Sequence, residues 1–291
     1  MFCTVARILI IVLLASTAPA VRGADDEADA RAVQIRQETI DSRTTPPNTE
    51  VVVTTLGRRA LRVDSEFDPS GAAQLSTIFR SSNRGFLILA HDTEEALIYD
   101  REQARITAQR RQEFEGRMLE RLADDESPAG EAIARMKRLR EESARLQQER
   151  PQSAIEFRTT SETGEFDGQP WVKVVETRQG AATRELLVTP WKELATGVDA
   201  VRVFQEMSDF FDDIVEISGG VARMPNPYQH FEKLGGFPLV IRQLDGNGNA
   251  VIETRVISIE VVEESSGVFD NPGYPQRGVA EHLLELDGPT E

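Results

Sequence analysis

An α+β fold, an antiparallel β-sheet packed with helices and interrupted by a helical insertion, is what the sequence predicts, and three observations predict it. The first is the stretch 236–262. An apolar run (Phe237, Leu239, Val240, Ile241) breaks at Asp245-Gly246-Asn247-Gly248-Asn249 and resumes from Val251 to Val262. Asp-Gly and Asn-Gly supply the positive φ angles of a tight hairpin, and β-branched residues on both sides favour a pleated, half-buried surface. The second is a series of short apolar runs with turn residues between them, before residue 100 and after residue 154. The third is an abrupt change at Arg101, from which Glu, Arg, Gln, Ala, Leu and Met dominate to Arg150.

In chain order, the first 23 residues have the form of a secretory signal peptide. Arg7 is the positive flank, Ile8–Ala15 the apolar core, and Ala18-Pro19-Ala20 or Val21-Arg22-Gly23 the cleavage region. The core is too short for a span of about 20 residues, and nothing later in the sequence reads as one. The expected location is therefore the periplasm, after cleavage behind Ala20 or Gly23. Residues 24–49, acidic and then rich in Gln, Arg and Thr, read as a flexible N-terminal segment.

A single β-rich domain is expected over 50–275. Val51–Leu56 and Leu61–Phe67 form its first two strands, and Ser76–Arg80, Gly85–Ala90 and Ala96–Asp100 continue them as a meander. A helical hairpin follows at about 101–149, broken only by 124–130, and each half carries one apolar stripe with i,i+4 acid-to-base pairs opposite it. Strands resume at Ala154–Thr159, and Trp171–Glu176 and Arg184–Thr189 form a hairpin around Gln179-Gly180. Val201, Phe204, Met207, Phe210, Phe211, Ile214 and Val215 recur at helical spacing, so 198–216 reads as a strongly apolar helix. Phe269–Tyr274 closes the ordered part, and 276–291 reads as a flexible tail.

The chain of 291 residues carries a formal charge of -16, which becomes -18 once Arg7 and Arg22 leave with the signal peptide. Such a balance disfavours nucleic acid and anionic surfaces as partners at long range. Cys3 is the only cysteine, so the mature chain has no disulfide and no thiolate site. His91, His230 and His282 are far apart and not at metal-ligand spacing. Asp245–Asn249 begins like a calcium loop but has Ala250 where glycine is needed and Val256 where a bidentate glutamate is needed. No cofactor, metal or catalytic set is expected. What remains is apolar: Met118, Met136, Phe204, Met207, Phe210 and Phe211 are the candidates for lining a cavity between sheet and helices, with a filled core as the competing reading.

Several motifs resemble, in order and spacing, those of the exported bacterial family called domain of unknown function 4412, itself similar to periplasmic lipoprotein carriers (LolA/LolB-like half-barrels). They are Ile78–Arg80 with Phe86–Asp92 and Ile98–Asp100, then Arg184–Trp191, Gly235–Arg242 and Phe269–Tyr274. Where the family often has a cysteine before its middle strands, this chain has Gly168-Gln169-Pro170-Trp171. The resemblance implies a curved antiparallel sheet, a half-open barrel, covered by helices, and a concave face used for acyl chains. Taken together, these readings point to a non-enzymatic carrier of a lipid or lipoprotein. A cell-envelope scaffold that recruits a partner protein through 101–149 is the alternative. An enzyme with a carboxylate site assembled from distant residues ranks third.

Overall fold

The computed structural model describes residues 31–123, 135, 155–191, 193, 200–217, 234–265 and 267–286. The expected signal peptide and, apart from residue 135, the second half of the helical hairpin lie outside these residues. Twelve strands form one open sheet, in the order β12-β6-β5-β4-β3-β2-β1-β11-β10-β9-β8-β7. The strands are β1 (Arg31–Asp41), β2 (Asn48–Leu56), β3 (Ala60–Phe67), β4 (Ala73–Arg80), β5 (Gly85–Ala90) and β6 (Glu95–Tyr99). They continue with β7 (Ile155–Phe166), β8 (Gln169–Arg178), β9 (Ala181–Pro190), β10 (Gly236–Leu244), β11 (Ala250–Glu263) and β12 (Gln276–Gly278). Every pairing is antiparallel except β12 with β6. Three helices complete the described elements: α1 (Arg101–Ala123), α2 (Ala200–Ile217) and α3 (Val279–Leu286). The sheet is curved and does not close on itself.

Tight turns set the registers. Gln179 and Gly180 both have positive φ (53° and 80°), as do Asp167 and Gly168 (49° and 76°), the backbone that two-residue hairpin loops require. The β10–β11 turn is held by its own first residue. Asp245 Oδ1 accepts the backbone N–H of Asn247 and of Asn249, each at 2.8 Å. These bonds, the Asn249 one foremost, hold its carboxyl below the usual carboxylate range. The Asp245 carboxylate is thus engaged within the hairpin turn.

Two expectations are corrected. Residues 31–41, read as part of a flexible segment, form a strand near the middle of the sheet, paired with β2 on one side and β11 on the other. Ala32, Val33 and Ile35 are each buried to 2% exposure or less, so a strand of polar appearance is anchored by three apolar residues and two full ladders. The expected tail likewise contains β12 and α3. Backbone pairing of Gln276–Gly278 with Ala96–Ile98 covers the edge of β6.

One apolar cluster occupies the concave face. It draws Val33 and Ile35 from β1, Val52 and Leu56 from β2, Phe79 and Phe86 from β4 and β5, Leu186 and Val188 from β9, and Phe237 from β10, with the buried face of α2. A smaller cluster of Ala60, Ile78, Leu89, Ala96 and Phe269 lies on the opposite face of β3–β6, under the segment that joins β11 to β12.

Candidate functional site

The helix α2 crosses the concave face and touches both flanks of the sheet. Phe210 packs on Phe79, Phe86 and Tyr99, with ring centroids 6.3, 5.4 and 6.3 Å away. Phe204 packs on Trp191, which packs in turn on Phe237. The periodicity that predicts the helix also gives its buried face: Val203, Phe204, Met207, Phe210, Phe211 and Ile214 are all buried. Near its C-terminal end, Asp213 pairs with Arg101 at the start of α1.

Four of the six predicted cavity residues, Phe204, Met207, Phe210 and Phe211, are therefore brought together in one buried cluster. The side chains of Met118 and Met136 lie outside the described part. Below α2 the same face becomes more polar. Alternation along the strands and the cross-strand registers put Thr39 opposite Thr254 on β1 and β11, and Gln243, Arg184 and Glu176 side by side on β10, β9 and β8. Thr39 and Thr254 share a 2.8 Å hydrogen bond, and the buried Ser65 Oγ, higher on the same face, has no hydrogen-bond partner.

Glu176 is the charged group of this region, and its side chain is only 3% exposed. Thr183 Oγ1 donates to its Oε1 at 2.9 Å, Arg178 Nε donates to Oε1 at 3.3 Å, and Arg184 Nη1 donates to Oε2 at 3.3 Å. Sequence reasoning missed this group, although Glu176 and Arg178 stand two apart on a strand and so share a face. The Gln179-Gly180 turn alone would place Glu176 opposite Thr183. A β-bulge between Glu176 and Thr177 in the β8–β9 ladder puts Arg184 there instead.

The opposite face holds a polar clamp. Ser76 Oγ, fully buried, lies 2.7 Å from His91 Nε2 and 2.5 Å from Asp64 Oδ1. Ser, His and Asp together suggest a nucleophile, but the connectivity differs: the aspartate contacts the serine, and His91 Nδ1 meets the Tyr274 hydroxyl at 3.0 Å. Because Ser76 donates to Asp64, it accepts from His91 Nε2–H, and the neutral ring then accepts from Tyr274 at Nδ1. Arg62 donates to Asp64, to Ser76 and to the Val268 carbonyl, while Arg80 donates to the Phe269 carbonyl and pairs with Asp270. The arrangement ties residues 268–274 onto the sheet.

Burial, then the Arg62 charge, lowers the His91 pKa below its ordinary value of 6.5, against smaller opposing effects of Asp64 and Asp92. A depressed histidine pKa means that the unfolded chain binds the extra proton first. Its contribution to stability is thus complete above about pH 6.5 and is lost as pH falls through that value towards the folded pKa. Thermal melts from pH 8 to 5 should show this loss in the wild type and a smaller one in His91→Gln. Parallel curves for the two proteins would remove His91 from the account.

Among the described residues no three His, Cys, Asp or Glu side chains are placed to hold a metal ion, and no helix is long and apolar enough to cross a membrane. No protein-family profile matches the chain, and no curated protein does. Solved structures do match, distantly. One is an uncharacterized conserved protein from Thermus thermophilus, with TM-score 0.37, 10% identity, and 86% of this chain and 91% of that chain covered. Another is the MucA/MucB complex of Pseudomonas aeruginosa, with TM-score 0.33, 9% identity, and 81% and 53% covered. A third is a LolA superfamily protein from Nitrosomonas europaea, with TM-score 0.21, 8% identity, and 83% and 81% covered. The chain thus spans about half of the matched chain in the MucA/MucB complex. Likeness at these scores carries no argument about what this chain binds, and membership of the domain of unknown function 4412 family has no profile match behind it.

Proposed function

We propose that this is a non-enzymatic, exported carrier or binding protein, which holds an apolar ligand such as a lipid or lipoprotein acyl chain between its curved sheet and α2. The observation that supports the reading is the seating of α2. The helix shares no backbone ladder with the sheet; side-chain packing and the Arg101–Asp213 pair hold it across the concave face. An acyl chain that entered beneath it would bury comparable apolar area, so ligand and helix compete for one surface. Phe204, Phe210 and Phe211 of α2 are buried against that surface.

The test is uptake of the apolar dye 1-N-phenylnaphthylamine by wild type and Asp213→Ala. The ion pair is partly exposed, so its loss frees the helix by about 1 kcal/mol or less, and the apparent affinity should tighten by up to about fivefold. Dye uptake by neither protein would overturn the carrier reading. The envelope scaffold would then lead, since α1 presents Glu102, Arg105 and Gln109 to solvent as a charged recruiting face.

A further inference from the structure

We infer that Arg178 and Arg184, gathered by the buried Glu176, form an anion-binding subsite on the concave face of the sheet, which takes the carboxylate or phosphate head of an amphiphile. The inference rests on the carrier reading and adds to it a polar end for the ligand. The site contains two guanidinium groups and one carboxylate, a local excess of one positive charge in a chain whose formal charge is -16. Each guanidinium has five N–H donors, and each makes a single contact, to Glu176, leaving the others without a partner among the described residues. The guanidinium side chains are 47% and 35% exposed, whereas Glu176 is 3% exposed. The carboxylate is therefore the buried post, and the two cations face outward from it.

The neighbouring charges do not cancel this excess. Alternation places Lys173 and Glu185 on the other face, where they pair with each other at 2.9 Å. On the concave face the cross-strand neighbours of Glu176 and Arg184 are Phe157 on β7 and Gln243 on β10, neither of them charged. Two residues along the strands from Glu176 and Arg184 are Val174 and Leu186, each 1% exposed and part of the main core. An anion held by the arginines thus sits at the border of the apolar surface. That is the layout an anionic amphiphile needs, with a planar, charge-assisted clamp for the head and apolar surface next to it for the chain.

The experiment measures displacement of 1-N-phenylnaphthylamine by dodecanoate, dodecyl phosphate and dodecanol, each below its aggregation threshold. Inorganic phosphate is tested alone by calorimetry. Wild type should bind the two anionic ligands at least tenfold more tightly than dodecanol. Arg178→Gln/Arg184→Gln should remove that preference and leave dodecanol within about twofold, whereas Glu176→Gln, with the melting temperature followed as a check of folding, should sharpen it. Loss of a purely structural cluster would shift all three ligands together. Equal affinity for dodecanoate and dodecanol in wild type, or a preference that survives the double variant, overturns the subsite and leaves the carrier reading standing. Failure of every amphiphile to bind overturns both. Dodecanoate and dodecyl phosphate separate carboxylate from phosphate heads. Phosphate bound as tightly alone as in dodecyl phosphate would mean a free-anion site and would overturn the amphiphile assignment.

Discussion

Phe210→Ala should cost about 3–5 kcal/mol in stability, the range for deleting a fully buried aromatic ring. The residue is fully buried, and its ring lies among those of Phe79, Phe86, Tyr99 and Phe211 at centroid distances of 5.4 to 6.3 Å. The flanking rings are attached to three strands and to α2 itself, so they cannot all collapse into the gap, and most of the cavity penalty should remain. Edge and tilted ring pairs add about 0.5–1.5 kcal/mol each beyond area burial. Urea unfolding reads the cost directly, and Ile257→Ala is the internal control. Ile257 is 45% exposed at the irregularity of the β1–β11 ladder, so its truncation should move stability by about 0.5 kcal/mol or less. A cost below about 1 kcal/mol for Phe210→Ala would mean that the cluster is loosely filled. It would then be a preformed cavity, and α2 would not have to leave for a ligand to enter.

How far these features are legible in the sequence depends on how local their causes are. The β10–β11 hairpin is readable because both its turn and its strands lie within one stretch, and α2 because its apolar residues recur at one period. The strand β1 is not. Gln37 occupies an inward position and is 8% exposed, which breaks the apolar alternation just where a strand would be recognised. Its two partners come from residues 48–56 and 252–263, and no short window contains both. The three-residue β12 depends in the same way on β6, about 180 positions earlier. Periodicity identifies Phe204, Met207, Phe210 and Phe211 as one buried face, but it cannot say whether protein or ligand covers that face. The cluster at Glu176 is hidden by the single extra residue at the β8–β9 bulge, which exchanges Thr183 for Arg184 as its cross-strand neighbour.

Gly236→Ala should be as severe as the loss of a core ring, for a different reason. A Cβ at this position would lie 2.1 Å from the Thr189 carbonyl oxygen and 2.8 Å from its carbon. The obstacle is backbone, and it belongs to the partner strand: Gly236 pairs with Pro190 where β10 enters the sheet. Relief requires β9 and β10 to separate there, with loss of ladder hydrogen bonds and disturbance of Trp191, which follows β9 directly and packs on Phe237 and Phe204. Overpacking in a rigid setting costs about 1–3 kcal/mol, and the broken end of the ladder adds about 1 kcal/mol per bond. A loss of about 3 kcal/mol or more is expected, with a change in tryptophan emission in the folded baseline. Gly71→Ala is the comparison. Its Cβ would meet nothing within 4 Å, and only a φ of +86° opposes the change, so about 1–2 kcal/mol should be lost. If the two substitutions cost the same, the close approach of β9 to β10 is not what selects glycine at 236, and backbone conformation alone would have to explain both positions.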